Sequence, residues 1–120
     1  MTEQGRFVLS IVDGVPVVDV SGDVDISNVA EFQKVIAAAA GHDNAGVVTS
    51  LRNINYLDSR MVHELFTLSK RFSQNRRAFA VVWPESRSAR YILEAAGVPL
   101  IVDFYDTLDV AVTAVKRPAS

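Results

Sequence analysis

Asp58 and Ser59 stand side by side where an apolar stretch ends and an amphipathic one begins, in Asn55-Tyr56-Leu57-Asp58-Ser59-Arg60-Met61-Val62-His63-Glu64-Leu65-Phe66. A carboxylate and a hydroxyl at such a junction mark a helix N-terminus. Four backbone N–H groups lack intrahelical partners there, and the helix dipole adds about half a positive charge. Two chemistries fit the pair. One is capping, since Asp and Ser are residue types that accept bonds from those amides. The other is modification: a hydroxyl at a positive helix end sits where a phosphate is electrostatically favoured, which makes Ser59 a candidate switch. His63 follows Ser59 by four residues and can share its helix face, so a Ser-His-Asp nucleophile has to be weighed as well. The order argues against it, because the acid must hold the imidazole from the side away from the serine, and Asp58 directly precedes Ser59. The chain has no Gly-x-Ser-x-Gly elbow, no phosphate-binding loop and no cluster of metal ligands; His42 and His63 read as separate exposed residues. The expectation is a non-enzymatic protein with no cofactor and no metal.

Composition narrows the setting. At 120 residues the chain can bury about two-thirds of its unfolded surface and build one core unaided. With 49% hydrophobic and 22% charged residues it is of globular type, and no apolar run approaches the ~20 residues of a membrane helix. Membrane insertion is not expected. The start lacks the basic patch and long apolar core of a secretion signal and there is no cysteine to oxidise, so the cytoplasm is the expected compartment. A net charge of -2, with Lys and Arg scattered rather than striped, gives no electrostatic footprint for nucleic acid.

Hydrophobic periodicity supplies the elements that must position Asp58 and Ser59. Residues 7–12 and 15–20 are β-branched runs around Asp13-Gly14, which predicts two antiparallel strands joined by a type I′ turn. Residues 21–27 are small and acidic and end the second strand, with Ser27 placed to cap a helix over 28–40. In that helix Val29, Phe32, Val35 or Ile36, and Ala39 face the core, and Gly41 stops it. After a polar link at 42–44, residues 45–51 form the continuous apolar run of a central strand covered on both faces; Arg52-Asn53-Ile54-Asn55 then reads as a break. The helix opened by Asp58-Ser59 turns Met61, Leu65, Leu68 and Phe72 inward and Arg60, Glu64, Thr67 and Arg71 outward. A buried strand at 78–83 and a helix capped by Ser86 follow, with Ala89, Ile92 or Leu93, and Ala96 inward and Gly97 at its end. A short strand at 101–105 leads to a last helix, capped by Asp106 or Thr107, that frays after residue 116. Strands alternating with helices predict an α/β fold with a mixed sheet of four to five strands and about four helices.

At this point the chain resembles the STAS domain of bacterial anti-sigma factor antagonists, over nearly its whole length. Ser21-Gly22-Asp23-Val24-Asp25 is similar to the family's Gly-acidic-apolar-Asp loop, and Asn53-Ile54-Asn55-Tyr56-Leu57-Asp58-Ser59 to the approach to its Asp-Ser pair. Ile92-Leu93-Glu94-Ala95-Ala96-Gly97 and Tyr105-Asp106-Thr107-Leu108 resemble its helix-Gly-strand-helix ending. The resemblance implies a single STAS-like domain over residues 1–120, ordered over about 6–116. In similar proteins the serine after the aspartate is phosphorylated by a cognate anti-sigma kinase, and the unphosphorylated form binds that kinase and frees a sigma factor. By position that serine is Ser59. The implied partner is therefore an anti-sigma factor serine kinase, met by Gly22, Asp23, Asp25, Asp58, Ser59, Arg60 and His63 on a monomer or weak homodimer.

Two departures bear on that surface. Arg60 and Met61 stand where the family usually has Ser or Thr and then Gly, and Ser50 where its third strand commonly carries Asp. Met61 denies the close backbone approach that glycine permits, so the partner surface differs here. An aspartyl-phosphate receiver is also a small α/β domain, but it needs an acidic pair after its first strand, and here that strand runs into Asp13-Gly14. The main alternative is an unphosphorylated STAS subunit that serves as a structural scaffold, in a stress-signalling assembly or beside a lipid transporter.

Overall fold

Asp13 and Gly14 both take positive φ, 51° and 79°, so the expected I′ turn joins β1 (Arg6–Val12) to β2 (Val15–Val24). The structure, a computed structural model, describes residues 4–41 and 45–116; the polar link at 42–44 and the fraying expected after 116 lie outside the described residues. After the hairpin come α1 (Val29–Ala40), β3 (Gly46–Leu57), α2 (Ser59–Gln74), β4 (Ala78–Val82), α3 (Arg87–Ala95), β5 (Asp103–Tyr105) and α4 (Leu108–Lys116). The strands lie in chain order across one sheet, β1 antiparallel to β2 and the other neighbours parallel. The fold is the predicted mixed α/β sheet, with five strands and four helices.

Strand order decides where the helices go. Each crossover from β2 onward steps the same way along the sheet, so a right-handed connection places α1, α2 and α3 on one face. Their buried residues Phe32, Ile36, Met61, Leu65, Ala89 and Leu93 share a core with Val18, Val47 and Leu51. Helix α4 follows the last strand with no crossover to make, and it covers the other face: Ala111, Val112 and Val115 pack on Val17, Val48, Ala80 and Val82. Strand β3 is central, and residues 46–51 are buried throughout, as the apolar run predicts.

Several boundaries differ from expectation. Strand β2 continues to Val24 and β3 to Leu57, because beyond Ser50 the two pair with each other while β4 has already ended. With no strand paired on the β4 side, Arg52, Asn53 and Asn55 are exposed, and their polarity reads in sequence as a break. The last strand is shorter than 101–105, since Gly97 turns left-handed at φ 75° and a 3-10 turn takes up Val98–Leu100. Ala96 is exposed rather than inward. Glu64, expected on the outer face, is buried and accepts a hydrogen bond from Gln33 Nε2 at 2.7 Å. Thr107 provides the cap of α4, its Oγ1 accepting from the Val110 N–H at 3.2 Å.

Thr49 is fully buried in β3, and its hydroxyl has no hydrogen-bond partner among the described residues. A buried hydroxyl without a partner destabilises, and valine has nearly the same shape. Thr49→Val is therefore expected to stabilise the fold by about 1 kcal/mol, read as a higher urea midpoint at unchanged slope; a lower midpoint would show that the hydroxyl is satisfied.

Candidate functional site

The overhang of β2 and β3 brings the β2–α1 loop and the start of α2 to one end of the sheet. Asp23 and Val24 pair with Tyr56 and Leu57, and the Asp58 N–H donates to the Val24 carbonyl at 3.2 Å. Irregularities in the β2–β3 register fall on both sides of Ser21-Gly22. Gly22 itself is buried with φ 76°, a conformation in which an L side chain is strained.

Asp58 caps α2. Its Oδ1 accepts from the N–H of Arg60 at 2.9 Å and of Met61 at 3.2 Å, while its Oδ2 accepts from the Ile26 N–H at 3.2 Å. One carboxylate thus satisfies two orphan amides of the helix and a third in the β2–α1 loop. The loop is also tied internally. Asn28 Nδ2 donates to the Asp23 carbonyl at 2.9 Å, and its Oδ1 accepts from the Asp25 N–H at 3.0 Å. The Asp25 carboxylate accepts from the Ser27 hydroxyl and from the Ser27 N–H at 2.8 Å. These bonds, the hydroxyl's first, stabilise the anion and hold the Asp25 carboxyl below the usual carboxylate range. Ser27 is therefore not the cap of α1 that its position in sequence predicts. Its hydroxyl is committed to Asp25, and Asn28 holds the N-cap position.

Ser59 is the first residue of α2, exposed, and its hydroxyl has no hydrogen bond among the described residues. Of the pair, the cap is therefore Asp58, and the hydroxyl of Ser59 takes no part in it. Gly22, Asp23, Asp25, Asp58 and Ser59 come together at this end of the sheet. Arg60 stands at its border and, with His63, lines a groove of about 490 Å³ between α1 and α2. His63 therefore belongs to the groove. Asp58 bonds to backbone amides rather than to His63, so no relay of acid, imidazole and serine is assembled.

Two exposed apolar residues that sequence reasoning left out lie on the same elements. Ile26 and Tyr56 are 69% and 47% exposed, one on the bonded loop and one at the end of β3. Exposed apolar side chains beside a polar cluster give an interface its desolvated centre. Their signal in the sequence was an isoleucine inside an otherwise polar loop and a tyrosine in a brief apolar return. Among the described residues no group of three His, Asp or Glu side chains could hold a metal ion, and no helix is long and apolar enough to cross a membrane.

A five-stranded mixed sheet with three helices on one face and one on the other, and an aspartate-capped helix start beside the β2–α1 loop, defines a SpoIIAA-like α/β fold. The chain belongs to the STAS domain family, whose sequence profile matches residues 6–111. It is similar to the crystal structure of an anti-sigma factor antagonist from Mycobacterium paratuberculosis, at 25% identity and a TM-score of 0.83, over 95% of this chain and 96% of that one. A Thermotoga maritima protein matches at 25% identity and a TM-score of 0.75, over 92% of this chain and 95% of that one. The antagonist SpoIIAA in its unphosphorylated form shares the fold at 17% identity and a TM-score of 0.70, over 96% of this chain and all of that one. No curated protein matches the chain significantly in sequence.

Proposed function

We propose that this chain is an anti-sigma factor antagonist: it binds an anti-sigma factor serine kinase, releases a sigma factor, and is switched off by phosphorylation of Ser59. The observation that carries the reading is the exposed, unbonded Ser59 hydroxyl directly after the capping Asp58, with Ile26 exposed on the loop that Asp58 holds and Tyr56 exposed near the end of β3. Similarity to an antagonist of the same fold at 25% identity supports it. The protein acts by mass action and not as an enzyme; the phosphoryl donor, ATP, belongs to the kinase. Residues 1–120 work as one STAS-like domain in the cytoplasm, and the partner meets Gly22, Asp23, Asp25, Asp58, Ser59, Arg60 and, at the edge, His63.

The electrostatics separate fold from binding. A phosphate on Ser59 adds about -1.5 to -2 charge at the positive end of α2, where the domain tolerates it. At an interface the same group must lose water and meets the fields of Asp23, Asp25 and any partner carboxylate, which weakens association. Phospho-Ser59, and less fully Ser59→Asp, is expected to bind the anti-sigma kinase captured from native extract at least ~10-fold more weakly, equivalent to ~1.4 kcal/mol. Circular dichroism and melting temperature should stay the same. Equal affinities in titration calorimetry would replace this reading with that of an unphosphorylated scaffold subunit.

A further inference from the structure

The two edges of the sheet are built differently. Strand β5 is three residues long and begins at the exposed Asp103, a short charged edge of the kind that resists pairing. Strand β1 is seven residues long, pairs with β2 without a register shift, and carries Arg6 as its one charge in Arg-Phe-Val-Leu-Ser-Ile-Val. No proline, bulge or inward charge blunts it, and no other strand pairs with its outer side among the described residues. Its Val8 and Ile11 are 52% and 51% exposed.

The hairpin fixes which backbone groups face outward. A two-residue I′ turn makes its flanking residues a pair that exchanges both hydrogen bonds, here Val12 with Val15. Every second residue then also bonds to β2: Ser10, Val8 and Arg6. The N–H and C=O groups of Phe7, Leu9 and Ile11 point away from the sheet. These three residues are evenly spaced about Leu9, so the edge is complementary to a copy of itself.

We propose that β1 pairs antiparallel with β1 of a second copy of this chain, about a two-fold axis at Leu9. The pairs are then Leu9 with Leu9, and Phe7 with Ile11 twice, joining two sheets into one of ten strands. On the face that carries α1, Phe7, Leu9 and Ile11 of the two copies form a continuous apolar stripe; Phe7 already rests on Phe32 at 5.9 Å between ring centroids. The same register sets Arg6 of each copy opposite Val12 of the other and beside its Asp13, so the one charge on the edge meets an opposite charge. Helix α1 packs on β1, β2 and β3 and so lies over β2. The two α1 helices would be about three strand spacings apart, roughly 14 Å, wider than the 8–10 Å of packed helices, so they do not collide. An isologous contact of this kind closes on itself as a dimer.

The test is amide hydrogen exchange by NMR on the purified chain, from micromolar to millimolar concentration, alongside light scattering. Val8 and Ser10 amides should be protected at every concentration, and those of Phe7, Leu9 and Ile11 only as the dimer forms. Val8→Lys faces Asp19 across the hairpin, which keeps the monomer folded, and sets two lysines diagonally across the new contact. It should raise the dimer dissociation constant at least ~10-fold. Ile11→Lys, further from the axis, should act in the same direction and serves if Val8→Lys fails to fold. The proposal is overturned if Phe7, Leu9 and Ile11 exchange alike at all concentrations, if self-association protects another surface instead, or if neither variant changes it.

Discussion

Asp58→Ala is expected to destabilise the fold by about 2–3 kcal/mol, and Ser59→Ala to leave it within about 0.5 kcal/mol of the original. The difference follows from how the adjacent side chains are used. Removing the carboxylate leaves the Arg60 and Met61 amides without their cap, a loss of about 1 kcal/mol. It also frees the Ile26 N–H, and a bond to a charged acceptor contributes about 1.5–3 kcal/mol, discounted here because Ile26 is exposed. Ser59 gives up no bond. Urea unfolding at constant slope measures both. Because Asp58 holds the β2–α1 loop against α2, its loss should also weaken partner binding through the loop, and Asp58→Asn, which keeps an acceptor oxygen, should recover part of both. Equal destabilisation by Asp58→Ala and Ser59→Ala would mean that Ser59 is structural, and the switch would fall with it.

Gly46→Ala is expected to destabilise by about 3 kcal/mol while sparing the site. Gly46 pairs with Ala78 in the first rung between β3 and β4, and a Cβ there would lie 2.1 Å from the Ala78 carbonyl oxygen and 2.8 Å from its carbonyl carbon and nitrogen. Backbone cannot yield as a flexible side chain can, so the strands must part at that rung. The neighbouring bond from the Ala78 N–H to the Ala45 carbonyl, 2.8 Å long, is disturbed with it. Asp58 lies beyond the opposite end of β3, so the surviving folded fraction should bind its partner unchanged. A variant as stable as the original would show that β3 and β4 shift apart here at little cost.

Local chemistry was legible in the sequence and long-range chemistry was not. The Asp13-Gly14 turn, the Asp58 cap and the core face of α2 depend on residues within a few positions of each other, and each stands where the periodicity and residue types put it. The bond from the Ile26 N–H to Asp58 spans 32 residues and leaves no local trace. Ser27 shows how one neighbour can redirect another: serine before a helix reads as a cap until Asp25 takes its hydroxyl. Strand polarity misled for a different reason. Arg52, Asn53 and Asn55 are polar because β3 outruns β4 there, and a strand with one open side need not look like a strand. Glu64 reads as solvent-facing by helical spacing, and its bond to Gln33 of α1 is what allows it to be buried.

Helix α4 covers its face of the sheet without help from another helix among the described residues. During synthesis all five strands leave the ribosome before residues 108–116 do. Through that interval Val17, Val48, Ala80 and Val82 form an apolar plane open to water, the kind of surface that chaperones hold and aggregates recruit. Docking of α4 is thus the step that closes this face, and a chain cut before Leu108 would display a sheet covered on one side and bare on the other.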